Sequence, residues 1–354
     1  MNDSLNRPFF EPEKRTALQK HHADRPYLHF VLFIITILTC TAAGFLLFGD
    51  PSLGPGGALI RALTFPAALL SILLAHEMGH YLVARRSGID CSLPYFIPAP
   101  VGVGTFGAFI RIRQPIPGRQ NLLAIGAAGP LAGIALALPI TIAGIWLSEY
   151  RPITGFSGFR LGDSLGFWLL AKIIKGSAPA GQELYLHPIA FAAWLGFFIT
   201  SLNLLPMSQL DGGHVLYAMS PRGHALVSRL VFIGLIALGV FGDFPAHRKW
   251  IFIPVGTALV VLAIGLIIKP TKTKMARNFL AAAAIGWVVL LAALEQDSST
   301  VVWVVWGAIA YWIGLSHPPT KTDVPISRQA LVPGWLCMIV FILTFIPNPI
   351  GFME

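Results

Sequence analysis

Charge is scarce in this chain of 354 residues. Only 12% of its residues are charged, 55% are hydrophobic, and the mean hydropathy is +0.71. That excludes an ordinary soluble domain and a disordered chain. Cysteine is scarce as well. Cys40, Cys91 and Cys337 lie in different segments and form no CxxC pair. Cys91 falls on a segment expected to face the cytoplasm, where disulfides rarely persist, and all three read as structural. A cleavable-signal pattern is also lacking. The first apolar run follows a polar stretch and is longer than the ~7–15-residue core of such signals, so a retained first helix is expected. No internal repeat is visible.

Long apolar runs are plentiful. A membrane span needs ~20 mostly apolar residues, and candidates occur near 28–48, 58–84, 121–148, 188–219, 226–242, 250–268, 278–294, 300–315 and 331–347. The fourth is interrupted. The expected fold is therefore an all-α polytopic membrane protein of about nine transmembrane helices. Its expected divisions are a cytoplasmic tail at 1–27, a first helix and turn at 28–57, a catalytic core at 58–220, and C-terminal helices of unassigned role at 221–354. With the N-terminus placed in the cytoplasm, most Lys and Arg fall on inner segments, among them Arg85, Arg86, Arg111, Arg113 and Arg119. The net charge of +9 then reflects anchoring to an anionic leaflet, and no nucleic-acid partner is needed to explain it.

Between Pro66 and Ala84 the only charge is Glu77, inside the sequence His76-Glu77-Met78-Gly79-His80. HExxH on a helix puts two imidazoles one turn apart on one face, where both can reach one Zn²⁺. Glu77 can stand beside the metal without binding it and accept a proton from a water molecule. HExxH also arises by accident in soluble chains. At bilayer depth each ionisable group costs from ~2.5 to more than 10 kcal/mol, so these three either pair with one another or hold an ion.

Residues 87–120 contain Pro94, Pro98, Pro100, Pro115 and Pro117, which forbid a continuous helix. Ala108, Ile110 and Ile112 alternate with Phe109, Arg111 and Arg113, a strand period with arginine toward water. Gly102, Gly104 and Gly107 spell GxGxxG. No helix follows and no βαβ unit surrounds them, so a dinucleotide site is rejected in favour of a closely packed extended segment or hairpin. Such backbone near a membrane must be buried in protein or line a wet cavity, and its position suggests the wall or lid of the HExxH site. The run from Ala127 to Gly133, including Gly129-Pro130, reads as close helix packing.

The stretch Asn203–His214 breaks an apolar helix around Pro206 and resumes at Asp211-Gly212-Gly213. Asp211 lies at the same depth as the two histidines, and tetrahedral catalytic zinc takes three protein ligands. Asp211 is the candidate third ligand, against a salt bridge or helix cap. His214 is either a donor to that centre or a histidine bonded in the bundle. His187, His224, His247 and His317 read as interfacial, as do the tryptophans at 250, 303, 306, 312 and 335. In the C-terminal spans no chemistry is visible, which leaves scaffold, lipid contact or homo-oligomerisation.

The pairing of His76-Glu77-x-x-His80 with Asn203-x-x-Pro206-x-x-x-Leu210-Asp211-Gly212 on a later span resembles the site-2 protease family of intramembrane zinc metalloproteases. The Gly129-Pro130 opening of the span between them is also similar. The loop at 94–120 resembles that of the plastid and bacterial members without a PDZ module, and the outer loop at 149–187 is too short to hold one. Gly133 stands where many relatives have Asn. The resemblance covers roughly residues 58–220. It implies one Zn²⁺ per chain held by His76, His80 and Asp211, with Glu77 as the catalytic base. The substrates would be single-pass or polytopic membrane proteins, unwound locally in the bilayer. A substrate segment would be held by strand addition at 106–113, including Phe109, Ile110 and Arg111, with Asn203 on its backbone. Expected locations are a bacterial inner membrane or a plastid membrane, with the site toward the cytoplasmic or stromal side. The alternatives are a proteolytically dead relative serving as scaffold or chaperone, and a metal transporter. A transporter would want polar residues strung across several spans, and the later spans offer none.

Overall fold

The computed structural model describes residues 25–152, 159–241 and 301–352. Nine α-helices and three two-stranded antiparallel sheets occur among them. The helices are α1 Pro26–Phe48, α2 Gly54–Arg86, α3 Arg119–Leu147, α4 Leu165–Lys175, α5 Pro188–Asn203, α6 Asp211–Met219, α7 Pro221–Phe241, α8 Val301–Ile313 and α9 Val332–Thr344. Strands β1 Tyr95–Pro98 and β2 Thr105–Phe109 form a hairpin between α2 and α3. Strand β3 Glu149–Pro152 pairs with β5 Gln182–Tyr185, and β4 Phe159–Leu161 pairs with β6 Ile350–Phe352.

Four helices are long and apolar enough to cross a membrane: α1, α2, α3 and residues Pro221–Gly239 of α7. α5, α8 and α9 are shorter apolar helices. The expected fourth span is thus two pieces, α5 and α6, separated by a turn. The expected spans near 250–268 and 278–294, the expected interfacial His247 and Trp250, and nearly all of the expected tail lie outside the described residues. Nine full spans are not what the described residues contain. The side chains turned outward are those lipid demands rather than those water demands. Phe30, Leu38 and Leu46 of α1 are 65%, 64% and 86% exposed.

α2 is the central post. It packs against α1, α3 and α5, and α3 and α5 pack against each other. In lipid the driving force between helices is packing, and small residues provide it. A Cβ on Gly44 of α1 would meet the Ala62 carbonyl of α2. One on Gly79 of α2 would meet the Ala128 carbonyl of α3, and one on Gly144 of α3 would meet the Ala190 backbone of α5. The main core, with Phe65, Leu69, Ile72, Trp194 and Phe197, lies among these helices. A second core joins Leu205 and Met207 to Phe232, Leu235 and Trp303 of α7 and α8. Trp303 is therefore not interfacial: it is fully buried, with Nε1 donating to the Pro347 carbonyl at 2.6 Å.

Helix α4, Leu165–Lys175, is started by Ser164, whose hydroxyl accepts from the Phe167 N–H at 3.2 Å. The three cysteines are buried and form no disulfide.

Candidate metal centre

α2 has 33 residues, so it rises ~50 Å, more than the ~30 Å of a hydrocarbon core. His76 and His80 sit in its last third, ahead of Arg85 and Arg86, whose charges suit the helix C-terminus. His76, Glu77 and His80 are all buried. Their spacing places the imidazoles together on the side facing α3 and the α5–α6 turn.

The turn brings in the carboxylate. α5 ends at Asn203, and α6 begins at Asp211. Between them the chain folds back so tightly that only glycine fits at the next two positions. A Cβ on Gly212 would strike the Leu204 carbonyl, and one on Gly213 would strike the carbonyls of Met207 and Ser208. This is the local reason for the Asp-Gly-Gly sequence. At the other end of α6, Arg119 of α3 donates from Nε and one terminal nitrogen to the Ala218 carbonyl at 2.9 and 2.7 Å, and also pairs with Asp323 at 3.1 Å. α6 is thus held at both ends, and its first residue points at α2.

Three atoms converge. His76 Nε2 and His80 Nε2 lie 3.1 Å apart, and Asp211 Oδ2 lies 3.1 Å from the first and 3.2 Å from the second. His80 Nδ1 is 2.7 Å from the Ile125 carbonyl. A carbonyl only accepts, so Nδ1 carries the proton, and in the neutral imidazole Nε2 is then a bare lone pair. Asn203 Nδ2 lies 3.3 Å from His76 Nε2, which suits a lone pair there as well. Three acceptors therefore face one point, an arrangement that a cation satisfies. The separations match the edge of a coordination tetrahedron with ligands ~2.0–2.1 Å from zinc, about 3.3 Å. Two imidazole nitrogens and a carboxylate oxygen are a zinc-type donor set. His76, His80 and Asp211 form a group able to hold a metal ion.

The imidazoles are backed by α3. A Cβ on Gly129 would run into the His80 ring, and one on Gly133 would sit 3.3 Å from the His76 ring. Beyond close helix packing and the family resemblance, the glycine of Gly129-Pro130 makes room for a candidate ligand. A glycine on the helix facing HExxH is the signal that could have shown it.

Glu77 faces a cavity of about 270 Å³ together with the three candidate ligands, Asn203 and His214. At ~30 Å³ per water, that is space for several waters or a short extended peptide. The hairpin closes one side. Phe109 and Ile110 line the cavity, with the Ile110 N–H turned toward the Glu77 carboxylate. Arg111 does not line it. Arg111 is exposed, and its N–H and carbonyl bond Ser92 at 2.9 and 3.0 Å. Arg113, expected toward water, instead pairs with Asp90 at 3.4 Å. The hairpin tip is seated on α1, with Thr39 Oγ1 donating to the Gly104 carbonyl at 2.6 Å. Gly104 has φ +86°, and a Cβ there would meet the Cys40 backbone.

His214 is bonded within the bundle, one of its two sequence readings, whereas His317 and His224, expected at an interface, are bonded there with it. Their rings meet, His214 Nδ1 to His317 Nε2 at 2.7 Å, and His224 is buried against the Ser208 carbonyl at 3.1 Å. Burial holds His317 below the ordinary histidine range, with the nearby His224 acting the same way and the Pro318 carbonyl opposing it. Sequence spacing carries no signal for a contact between residues so far apart along the chain.

A helical bundle of membrane type, with two histidines on an HExxH helix, an aspartate brought in from a later helix and a glutamate at their side, defines a centre of the zinc metallopeptidase class. Residues 64–239 match the profile of peptidase family M50. The chain belongs to that family, the site-2 protease family. It is 34% identical over 195 residues to "Probable zinc metalloprotease EGY2, chloroplastic" of Oryza sativa subsp. indica, covering 53% of this chain and 33% of that protein. It is 35% identical over 191 residues to the Arabidopsis thaliana protein of the same description, covering 53% and 32%. To "Probable zinc metalloprotease EGY1, chloroplastic" of Oryza sativa subsp. japonica it is 30% identical over 272 residues, covering 70% and 45%. The chain thus spans between about a third and under half of the length of these curated relatives. No solved structure matches it.

Proposed function

We propose that this chain is an intramembrane zinc metalloendopeptidase that cuts peptide bonds in membrane-spanning substrates. The observation that carries the reading is the convergence of three acceptor atoms, 3.1–3.2 Å apart, beside a buried glutamate that is not one of them. One Zn²⁺ per chain, held by His76, His80 and Asp211, would supply Lewis-acid chemistry, lowering the pKa of water toward ~7 and polarising a carbonyl.

The chain's own residues do the rest. Glu77 accepts the proton of the attacking water and returns it to the leaving amine. The Ile110 N–H faces that carboxylate from one side. The Ile125 carbonyl holds His80 in the tautomer whose Nε2 is a free lone pair. Asn203 and the edge near Phe109 and Ile110 take the unwound backbone of the substrate, whose carbonyls are otherwise bonded within its own helix. Arg111, exposed just beyond, meets the part of the substrate outside the cavity. The candidate site lies near the basic ends of α2 and α3, which supports a site on the cytoplasmic or stromal side of a bacterial inner membrane or a plastid membrane.

Replacing Glu77 by Gln tests the assignment. Zinc content is expected to persist while cleavage of a membrane-embedded reporter falls by about 10²–10⁴, the usual contribution of a general acid–base. Cleavage at the original rate would overturn it.

A further inference from the structure

The C-terminal half of the chain looks inert in sequence, yet one short piece of it touches the Asp211 turn twice. Asp211 lies midway between Ser208 and His214. The Ser208 hydroxyl donates to the Gly314 carbonyl at 2.7 Å. The Ser208 N–H donates at 2.9 Å to the hydroxyl of Ser228 on α7, and that hydroxyl donates in turn to the Leu315 carbonyl at 2.9 Å. The Ser208 carbonyl accepts from His224 Nε2 at 3.1 Å. Every polar group of Ser208 is therefore occupied. It needs to be, because Ser208 has φ +57°, the one positive-φ residue other than glycine among those described, and such a conformation persists only when its surroundings over-determine it.

The second contact lies three residues past Asp211. His317 Nδ1 is 2.6 Å from the Pro318 carbonyl, so that nitrogen carries the proton, Nε2 accepts, and His214 Nδ1 donates to it at 2.7 Å. The His317 ring also stacks on Tyr217, one turn further along α6, with centroids 4.2 Å apart. Segment 314–317 thus grips the chain on either side of the aspartate, and none of its atoms belongs to the candidate ligand set.

We infer that segment 314–317, acting with Ser228 of α7, positions the Asp211 carboxylate and thereby sets the metal affinity of the centre. Ser228 and His317 are positioning residues: they touch neither metal nor substrate and act through the placement of Asp211. The inference rests on the proposed metal site.

A double-mutant cycle tests it, using the full chain in detergent and zinc alone, with affinity read by competition against a chelator. Ser228→Ala is expected to weaken zinc binding about 10–100-fold, the range for removing a group that orients a ligand, and Ser228→Thr to keep the native value. In an Asp211→Ala background Ser228→Ala is expected to cost nothing further. His317→Leu is expected to behave as Ser228→Ala does, and it carries the test if Ser228→Ala fails to fold. Equal losses with and without Asp211, or native affinity in both variants, would overturn the inference. If the unaltered chain binds no zinc, the metal site itself is refuted, which is a different result from native affinity in the variants.

Discussion

At the residue scale the centre depends on side chains that are absent as much as on those that are present. Gly129 leaves the space that the His80 imidazole fills, and a methyl group there would overlap the ring. Gly129→Ala is expected to displace His80 and reduce zinc affinity at least ~10-fold, with a stability loss of about 1–3 kcal/mol from overpacking. Chelator competition and thermal unfolding measure the two effects separately, and native zinc affinity would count against the placement of the ring. His76, Glu77, His80 and Asp211 were readable because charge is costly in an apolar run, so each one present asks for a reason. Gly129, Ser208 and Ser228 were not readable, because small polar or apolar residues are unremarked in a membrane span until coordinates show what lies against them.

At the scale of the element, the informative feature is a helix that stops. α5 ends at Asn203 and α6 restarts at Asp211. The sequence announced the interruption through Pro206 and Gly212-Gly213, but not how the turn is held. α6 has only 9 residues and relies on outside support, much of it from Arg119 at its C-terminal carbonyls. Arg119→Ala is expected to destabilise the fold by about 1.5–3 kcal/mol, the value of hydrogen bonds to a charged group, as a lowered midpoint of thermal unfolding; an unchanged midpoint would show that α6 does not need this anchor. The β1–β2 hairpin was half readable. The alternation at 108–113 indicated a strand, and the glycines indicated close packing. The regular strand nevertheless ends at Phe109, because beyond it the backbone turns to bond Ser92 and Asp90. Ile110→Pro removes the N–H that meets Glu77. Substrate cleavage is expected to fall at least ~10-fold while zinc content is kept; normal processing would remove the edge from the mechanism.

At the scale of the whole molecule, the described C-terminal helices pack onto the turn that carries Asp211. Leu205 and Met207, in the turn before Asp211, share a core with Phe232 and Trp303 of α7 and α8, and segment 314–317 holds that turn from the other side. Hydropathy located the apolar runs well but could not say which ones meet, because lipid-facing and helix-facing surfaces are equally apolar. The same ambiguity made Trp303 read as an interface residue when it is buried.

The central claim is that one metal ion is held by two imidazoles of α2 and one carboxylate from the start of α6. X-ray absorption at the zinc edge on the purified full chain, beside the same chain carrying Asp211→Ala, tests it most directly. The expected result is one zinc per chain in a shell of nitrogen and oxygen donors at ~2.0–2.2 Å, with two imidazoles resolved and zinc content diminished in the variant. A sulfur donor in the shell, or undiminished zinc without Asp211, would contradict it.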